Sequence, residues 1–360
     1  MIKEQGRRAP DNHQEAECRS DSGATSHMIE EVGKPDVLFL STGVDAFIRT
    51  DLELLQKHFR VAPLVWKGRS SALSTARSIC RARLVFSWFA GDHSAVAAVL
   101  ACVRRRPSVL VSGGGDVAAM PEIGYGAMSR GIRWRTPTKI ALGFSSLVLA
   151  FSDFSKAEIS RAHPPRELRT LYLGIDTRRF APATVKEDIV LTVGQVSDGN
   201  VKRKGFDTFL ESARRLPRFN FVLAGKRLDD SFERLKSAAP PNLQLAGYLS
   251  DSELADLYSK CKVYVQASAH EGFCVALAEA MSSGCIPIAT DRGALPEVAG
   301  DVGMRFSYGD VDALAEGINR AMEMPASEGA KARERVIGNF SLERRAEGLN
   351  KVIGQLLESG

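Results

Sequence analysis

The sequence predicts an α/β protein made of two doubly wound domains that face each other across a cleft. Three observations carry that reading. The chain has 360 residues, enough for two domains of about 150 each. From Val37 onward, short apolar runs alternate with helical patterns in two successive series, the signature of parallel sheets covered on both faces. A polar, Pro-containing stretch at 174–186 separates the series and reads as a linker.

Residues 1–35 hold seven acidic and five basic side chains and scarcely an apolar pair, so a disordered polar tail is expected there. No apolar run follows Met1, which argues against a secretory leader and for the cytoplasm. The first domain, 36–173, is expected to carry strands at 37–40, 60–64, 84–89, 108–112 and 147–152, with helices near 51–58, 94–104 and 155–162. The second, 187–338, is expected to carry strands at 189–193, 220–224, 243–246, 263–267, 286–290 and 302–306. Helices are expected between them near 206–215, 251–259, 275–283 and 311–322. Phe206, Phe209, Ala213 and Leu216 have helical spacing and are assigned to the core. A last helix, within 339–360, follows a break at Gly338-Asn339 and is free to cross back to the first domain.

Composition bounds the function classes. With 44% hydrophobic and 25% charged residues the chain is an ordinary globular protein, which excludes fibrous and wholly disordered classes. No apolar stretch approaches the roughly 20 residues of a membrane span. Six cysteines without a C-x-x-C pair read as reduced thiols and not as a metal site. The net charge of +5 is concentrated: between Arg60 and Lys139 there are 13 Lys and Arg against 3 acidic residues. Such a patch favours an anionic acceptor or an anionic membrane surface. Nucleic acid is not expected, since no aromatic stacking motif accompanies the cations.

The most informative segment is His270-Glu271-Gly272-Phe273-Cys274-Val275-Ala276-Leu277-Ala278-Glu279, directly behind the strand at 263–267. With Glu271 in the turn and Glu279 two helical turns on, eight steps separate the carboxylates by about 12 Å at full helical rise. That spacing suits the two ends of a nucleotide sugar, because carboxylates accept strong hydrogen bonds from vicinal hydroxyls. Gly194-x-x-x-x-Gly199 is no phosphate-binding P-loop, as Asn200-Val201 stands where Lys-Ser or Lys-Thr is required.

The E-x(7)-E arrangement, followed by Gly284, Pro287 and Gly293-Ala294-Leu295-Pro296-Glu297-Val298, resembles the retaining glycosyltransferases of family 4. Residues 172–182 resemble that family's interdomain linker, Val193-Gly194 with Lys204-Gly205 the opening of its donor domain, and 306–314 its closing strand and helix. The similarity spans about 152–322, and 37–150 fits more loosely. It implies the GT-B fold, two facing Rossmann-like domains with the nucleotide-sugar donor on the second. It further implies transfer of a sugar from a nucleoside-diphosphate sugar to a hydroxyl of a glycan, glycolipid or small molecule, with no metal and no cofactor.

The donor-binding residues implied are Gly194, Arg203, Lys204, Glu271, Gly272, Phe273, Glu279, Gly293 and Leu295. Lys204 would hold the diphosphate, Glu271 the transferred sugar and Glu279 the ribose hydroxyls, with Lys204 and Glu271 the catalytic pair. Departure of the diphosphate builds negative charge that a fixed ammonium and backbone N–H groups stabilise. The loop Arg292-Gly293-Ala294-Leu295 is the expected source of those N–H groups. One position departs from the family: an arginine usually follows the glycine matched to Gly194, and Gln195 stands here. Lys202 or Arg203 would then have to supply the second cation.

On the acceptor side, His93 and Asp116 each follow a strand of the first domain and are the candidates for acceptor or sugar contacts. The competing expectations are that Asp92 caps a helix starting near Ser94, with His93 on its surface. Two rival functions keep the fold: a nucleotide-sugar-binding protein with altered catalysis, and a nucleotide-sugar epimerase or hydrolase. The expected setting is the cytoplasm, with peripheral attachment at the inner face of the membrane an open alternative and the acceptor lipid-linked or anionic.

Overall fold

The computed structural model describes residues 35–43 and 45–359; the tail expected at 1–35, Pro35 apart, lies outside the described residues, as does Cys18. The first half runs β1 (Val37–Ser41), α1 (Ala46–Gln56), β2 (Val61–Val65), α2 (Ala72–Arg81), β3 (Leu84–Trp88), α3 (Asp92–Val103), β4 (Ser108–Ser112), α4 (Ile132–Phe144), β5 (Leu147–Ala150), α5 (Asp153–Ala162) and β6 (Leu168–Thr170). The second half runs β7 (Glu187–Val193), α6 (Asp198–Lys204), α7 (Phe206–Arg215), β8 (Asn220–Ala224), α8 (Ser231–Ala238), β9 (Leu243–Gly247), α9 (Asp251–Lys260), β10 (Cys261–Gln266), α10 (Val275–Ser282), β11 (Ile286–Thr290), α11 (Leu295–Ala299), β12 (Met304–Phe306), α12 (Val311–Glu323), α13 (Ala326–Phe340) and α14 (Leu342–Glu358).

Two six-stranded parallel sheets result, in the orders β2-β1-β3-β4-β5-β6 and β12-β11-β10-β7-β8-β9. In β1, β3, β4 and β5 every residue is buried, because helices cover both faces of the sheet and no polar alternation is needed. Strand β2 lies at the sheet edge, where Pro63 costs no ladder bond to a further strand. The strand order reverses between β1 and β3 in the first sheet and between β7 and β10 in the second, and such switch points open a crevice at the carboxyl ends of the strands.

The helix starts follow local chemistry. Ser250 caps α9 by accepting from Glu253 N, while the Glu253 carboxylate accepts from Ser250 N at 2.7 Å. Ser152, Ser197, Asp310 and Ser341 cap α5, α6, α12 and α14 in the same way with their side-chain oxygens. Helix α3 begins at Asp92, not near Ser94: Asp92 is its first residue, and the Ser94 hydroxyl reaches back to accept from Gly91 N at 2.8 Å. The break expected at Gly338-Asn339 is absent. Helix α13 runs through both to Phe340 and the chain turns at Ser341, whose hydroxyl caps the next helix.

The stretch 174–186 is not a free polar linker. Ile175 and Phe180 are buried in it, and Ile175 pairs with the α13–α14 junction, donating from N to Phe340 O at 2.7 Å and accepting from Leu342 N at 3.1 Å. One apolar cluster therefore runs from Phe39, Trp88 and Phe151 through Leu173, Ile175 and Phe180 to Tyr264, Phe273 and Phe340. Residues Pro35 onward form a single compact unit as a result. Helix α14 is tied to α1 by a fully buried ion pair: Arg345 donates to Asp51 from Nε at 2.9 Å and from Nη2 at 2.6 Å. Its Nη1 also donates to Leu171 O at 2.7 Å. Among the described cysteines, Cys261, Cys274 and Cys285 are buried, Cys80 is exposed, and none is in a disulfide.

Candidate active site

The switch point of the second sheet collects three of the charged groups that the sequence singled out, Arg203, Lys204 and Glu271. Helix α6 delivers Arg203 and Lys204, then ends on Gly205 in the left-handed conformation at φ 65°. Only glycine fits there, since a Cβ would lie 2.1 Å from Ala267 O at the end of β10. Gly194, at the end of β7, has a matching role: a Cβ would lie 2.5 Å from Lys204 Cδ, so the lysine stem crosses the bare backbone on its way to Glu271.

Four donors converge on Glu271 Oε1: Lys204 Nζ at 2.9 Å, Ser268 Oγ at 2.9 Å, Gln266 Nε2 at 3.3 Å and Arg203 Nη1 at 3.5 Å. Gln266 is itself oriented by Tyr264, whose hydroxyl donates to Oε1 at 2.7 Å. Burial pushes the Glu271 carboxyl up, but the Lys204 and Arg203 cations and the hydrogen bonds from Lys204 and Ser268 outweigh it and hold the group at about 2. Arg203 is positioned twice over. Asn200 Oδ1 accepts from its Nη2 at 2.9 Å, and its guanidinium lies 4.9 Å from the ring centroid of Tyr125, which comes from the first half. Gln195, where the family carries arginine, is exposed; its carbonyl accepts from Asn200 Nδ2 at 3.0 Å. The second cation beside Glu271 thus comes from Arg203, not from the position after Gly194 or from Lys202.

Glu279 stands apart from this cluster. It lines a cavity of about 280 Å³ between α1, the 174–180 segment and α10, together with Arg49, Asp176, Arg179 and Asp251. Burial pushes its carboxyl up to about 8, with the Arg179 cation pulling the other way. The two glutamates are therefore held in opposite states at neutral pH, Glu271 ionised and Glu279 mostly protonated.

Other expected residues sit differently from expectation. Phe273 and Leu295 are core side chains; Phe273 packs against Tyr172 and Phe340, and neither ring nor isobutyl group is free to face a ligand. In the loop 292–295 the N–H groups of Ala294 and Leu295 already donate to Glu271 O at 2.9 Å and Arg292 O at 3.2 Å, so these two of the expected phosphate donors are engaged. Gly293, at φ 61°, lets that loop lie against Glu271, where a Cβ would fall 2.6 Å from Glu271 O.

His93 is neither cleft-facing nor surface. It is buried, with Nε2 at 2.7 Å from Trp88 O, and burial lowers its pKa, so it serves the β3–α3 turn. Asp116 is likewise occupied. Its carboxylate accepts from Ala90 N at 2.8 Å, Ser112 Oγ at 2.7 Å and Gly114 N at 2.8 Å, which fastens the glycine run at 113–115 to the end of β3. The Asp116 carboxylate and His93 Nε2 are thus engaged within the first half.

The seam between the halves was not legible in sequence. Ser152 Oγ and Ser155 Oγ both donate to Gly272 O, at 2.6 and 2.7 Å. A Cβ on Gly272 would lie 2.0 Å from Gly113 O, so the two loops touch backbone to backbone. Glu297 accepts from Asp153 N at 2.8 Å and Phe154 N at 3.1 Å, a carboxylate of the second half capping a helix of the first, and from Tyr172 OH at 2.8 Å. Buried His270 meets Glu158 of α5 at 2.9 Å between the rings of Tyr125 and Phe154. No sequence signal pairs residues 112 to 159 positions apart; only the carboxyl-end rule points to the loops involved.

Known proteins share both the sequence of the second half and the fold of the whole. Residues 175–340 match the family model of the glycosyl transferases group 1. O-antigen chain mannosyltransferase B of Escherichia coli is 28% identical over 202 residues, 51% of this chain and 53% of that protein. The GDP-mannose:cellobiosyl-diphosphopolyprenol alpha-mannosyltransferase of Xanthomonas oryzae pv. oryzae is 26% identical over 186 residues, 50% of this chain and 49% of that protein. The chain thus spans about half the length of these curated relatives. HepE of Anabaena, solved in complex with UDP and glucose, superposes with a TM-score of 0.74 at 17% identity, over 89% of this chain and 99% of that one. Sucrose-phosphate synthase of Thermosynechococcus elongatus gives 0.74 at 19% identity, over 90% and 100%. The chain accordingly has the GT-B fold, and its segment 175–340 matches the model of the glycosyl transferases group 1.

Proposed function

We propose that the protein is a retaining glycosyltransferase of family 4 that moves a hexosyl group from a nucleoside-diphosphate sugar to a hydroxyl of a glycan or lipid-linked acceptor. The observation that carries this reading is the convergence of Lys204 and Arg203 on ionised Glu271 at the switch point of the second sheet. In the transfer, the acceptor hydroxyl oxygen bonds to the anomeric carbon, the bond from that carbon to the diphosphate oxygen breaks, and the diphosphate leaves with the electron pair and takes up the hydroxyl proton. The two cations stabilise the charge that builds on it, so the reading requires no metal. Glu271 then accepts from hydroxyls of the transferred sugar, and Glu279 from the ribose. Mannosyl relatives and a UDP-bound neighbour of the same fold support a hexosyl donor without choosing its base.

Among the described residues no helix is long and apolar enough to cross a membrane. The reading includes a cytoplasmic setting at the inner face of the membrane. Its test is a transfer assay of the purified protein with labelled nucleotide sugars and a panel of hydroxyl acceptors, run with and without EDTA. An α-linked product from an α-linked donor, unaffected by EDTA, is expected; a β-linked product, a free sugar alone, or a metal requirement would contradict it.

A further inference from the structure

The mouth of the first half carries a patch that transfer chemistry alone does not explain. A cavity of about 620 Å³ opens at the carboxyl ends of β3 and β4, floored by Asp116 and Tyr125, the residue that also lies against Arg203. Its outer wall is the 130–138 segment at the start of α4. There the first turn of the helix is exposed: Ile132 is 81% and Trp134 53% exposed, between exposed Arg130, Arg133, Arg135 and Lys139. The Arg130 guanidinium lies 4.8 Å from the Trp134 ring centroid. From Tyr125 to Phe144 the sequence contains no Asp or Glu, and the acidic residues that line the cavity are Asp92 and Asp116.

A large apolar side chain in water is unremarkable singly, but an aromatic and a β-branched residue projecting together among cations match the polar–apolar boundary of an anionic bilayer. The rings settle at the headgroup level and the cations meet lipid phosphates. We infer that the first turn of α4 docks the protein on an anionic membrane surface and sets the cavity mouth beside it, so that the acceptor is an amphiphile entering from the bilayer. The charge complementarity of this turn commits the proposal to anionic lipid. The acceptor clause rests on the glycosyltransferase reading; the docking clause does not.

The test is co-sedimentation of the full chain with phosphatidylcholine vesicles, with and without phosphatidylglycerol, at low and high salt, read together with tryptophan emission. Binding to the anionic vesicles only, weakened by salt, with a blue shift that Trp134→Phe removes, is the expected result. Replacing Arg130, Arg133 and Arg135 with Gln should weaken binding roughly fivefold per arginine, and Ile132→Ser with Trp134→Ala should weaken it further. A melting curve of each variant controls for folding. Failure to bind anionic vesicles at low salt, equal binding to neutral ones, retention of full affinity in the arginine variant, or binding of duplex DNA in place of vesicles would overturn the proposal. Vesicle binding without any nucleotide binding would remove the glycosyltransferase reading and leave the docking surface standing.

Discussion

At Glu271 and Glu279 one sequence motif gives two carboxyls with opposite charge states, and the difference is set by neighbours. Glu271 has Lys204 and Arg203 within 3.5 Å; at Glu279 the Arg179 cation and the Tyr258 hydroxyl do not offset its burial. Lys204→Ala should lower turnover roughly 10²- to 10³-fold, as loss of one charge-stabilising donor does elsewhere, and steady-state kinetics with saturating donor reads this directly. Glu279 supplies a pH prediction of definite sign. Because its folded value, about 8, lies above the ordinary 4.5, its ionisation costs stability that is absent at pH 4.5 and fully present above pH 8. The melting temperature of the wild type relative to Glu279→Gln should therefore fall as pH rises across that window. If ribose hydroxyls donate to the ionised group, nucleotide affinity should rise over the same range and Glu279→Gln should flatten it; calorimetry at pH 6, 7 and 8.5 checks both.

Among the elements, α6 and α14 show what the sequence could and could not reveal. Strands β4, β8 and β11 and helix α7 match their expected bounds, because long apolar runs and a clean helical period leave little choice. The three-residue β6, half-buried at an edge, and α4, with Pro137 inside it and four exposed residues in its first turn, carry no such period and went unseen. Lys202-Arg203-Lys204 looks like a solvated turn on composition alone; the Ser197 cap and Gly205 stop make it a helix that aims two cations at one carboxylate. Gly205→Ala should cost about 1–3 kcal/mol through its left-handed backbone and shift Lys204, so that melting temperature and nucleotide affinity fall together. The Arg345–Asp51 pair is equally specific. Arg345→Met alone leaves a buried aspartate unpaired and should cost about 3–5 kcal/mol in urea unfolding, while adding Asp51→Leu should restore part of it.

For the whole molecule, the two parallel sheets were legible from the doubled strand–helix series, whereas the seam was not, since it is made by backbone contacts and single side chains far apart in sequence. A hydrophobic cluster that runs without interruption through Leu173, Ile175 and Phe180 makes the two halves share one core, and Gly113 against Gly272 fixes how near the loops come. Gly272→Ala should force those loops apart and lower transfer more than it lowers nucleotide binding, a difference that parallel kinetics and calorimetry resolve. That comparison presumes that a nucleotide sugar binds at the switch point of the second sheet, which titration calorimetry of UDP, GDP, ADP and their sugars against the wild type, Lys204→Ala and Glu279→Ala tests most directly. Binding of one nucleotide family, weakened at least tenfold in each variant, is the predicted result. No binding to any of them, or binding that neither substitution changes, would contradict the assignment of the site.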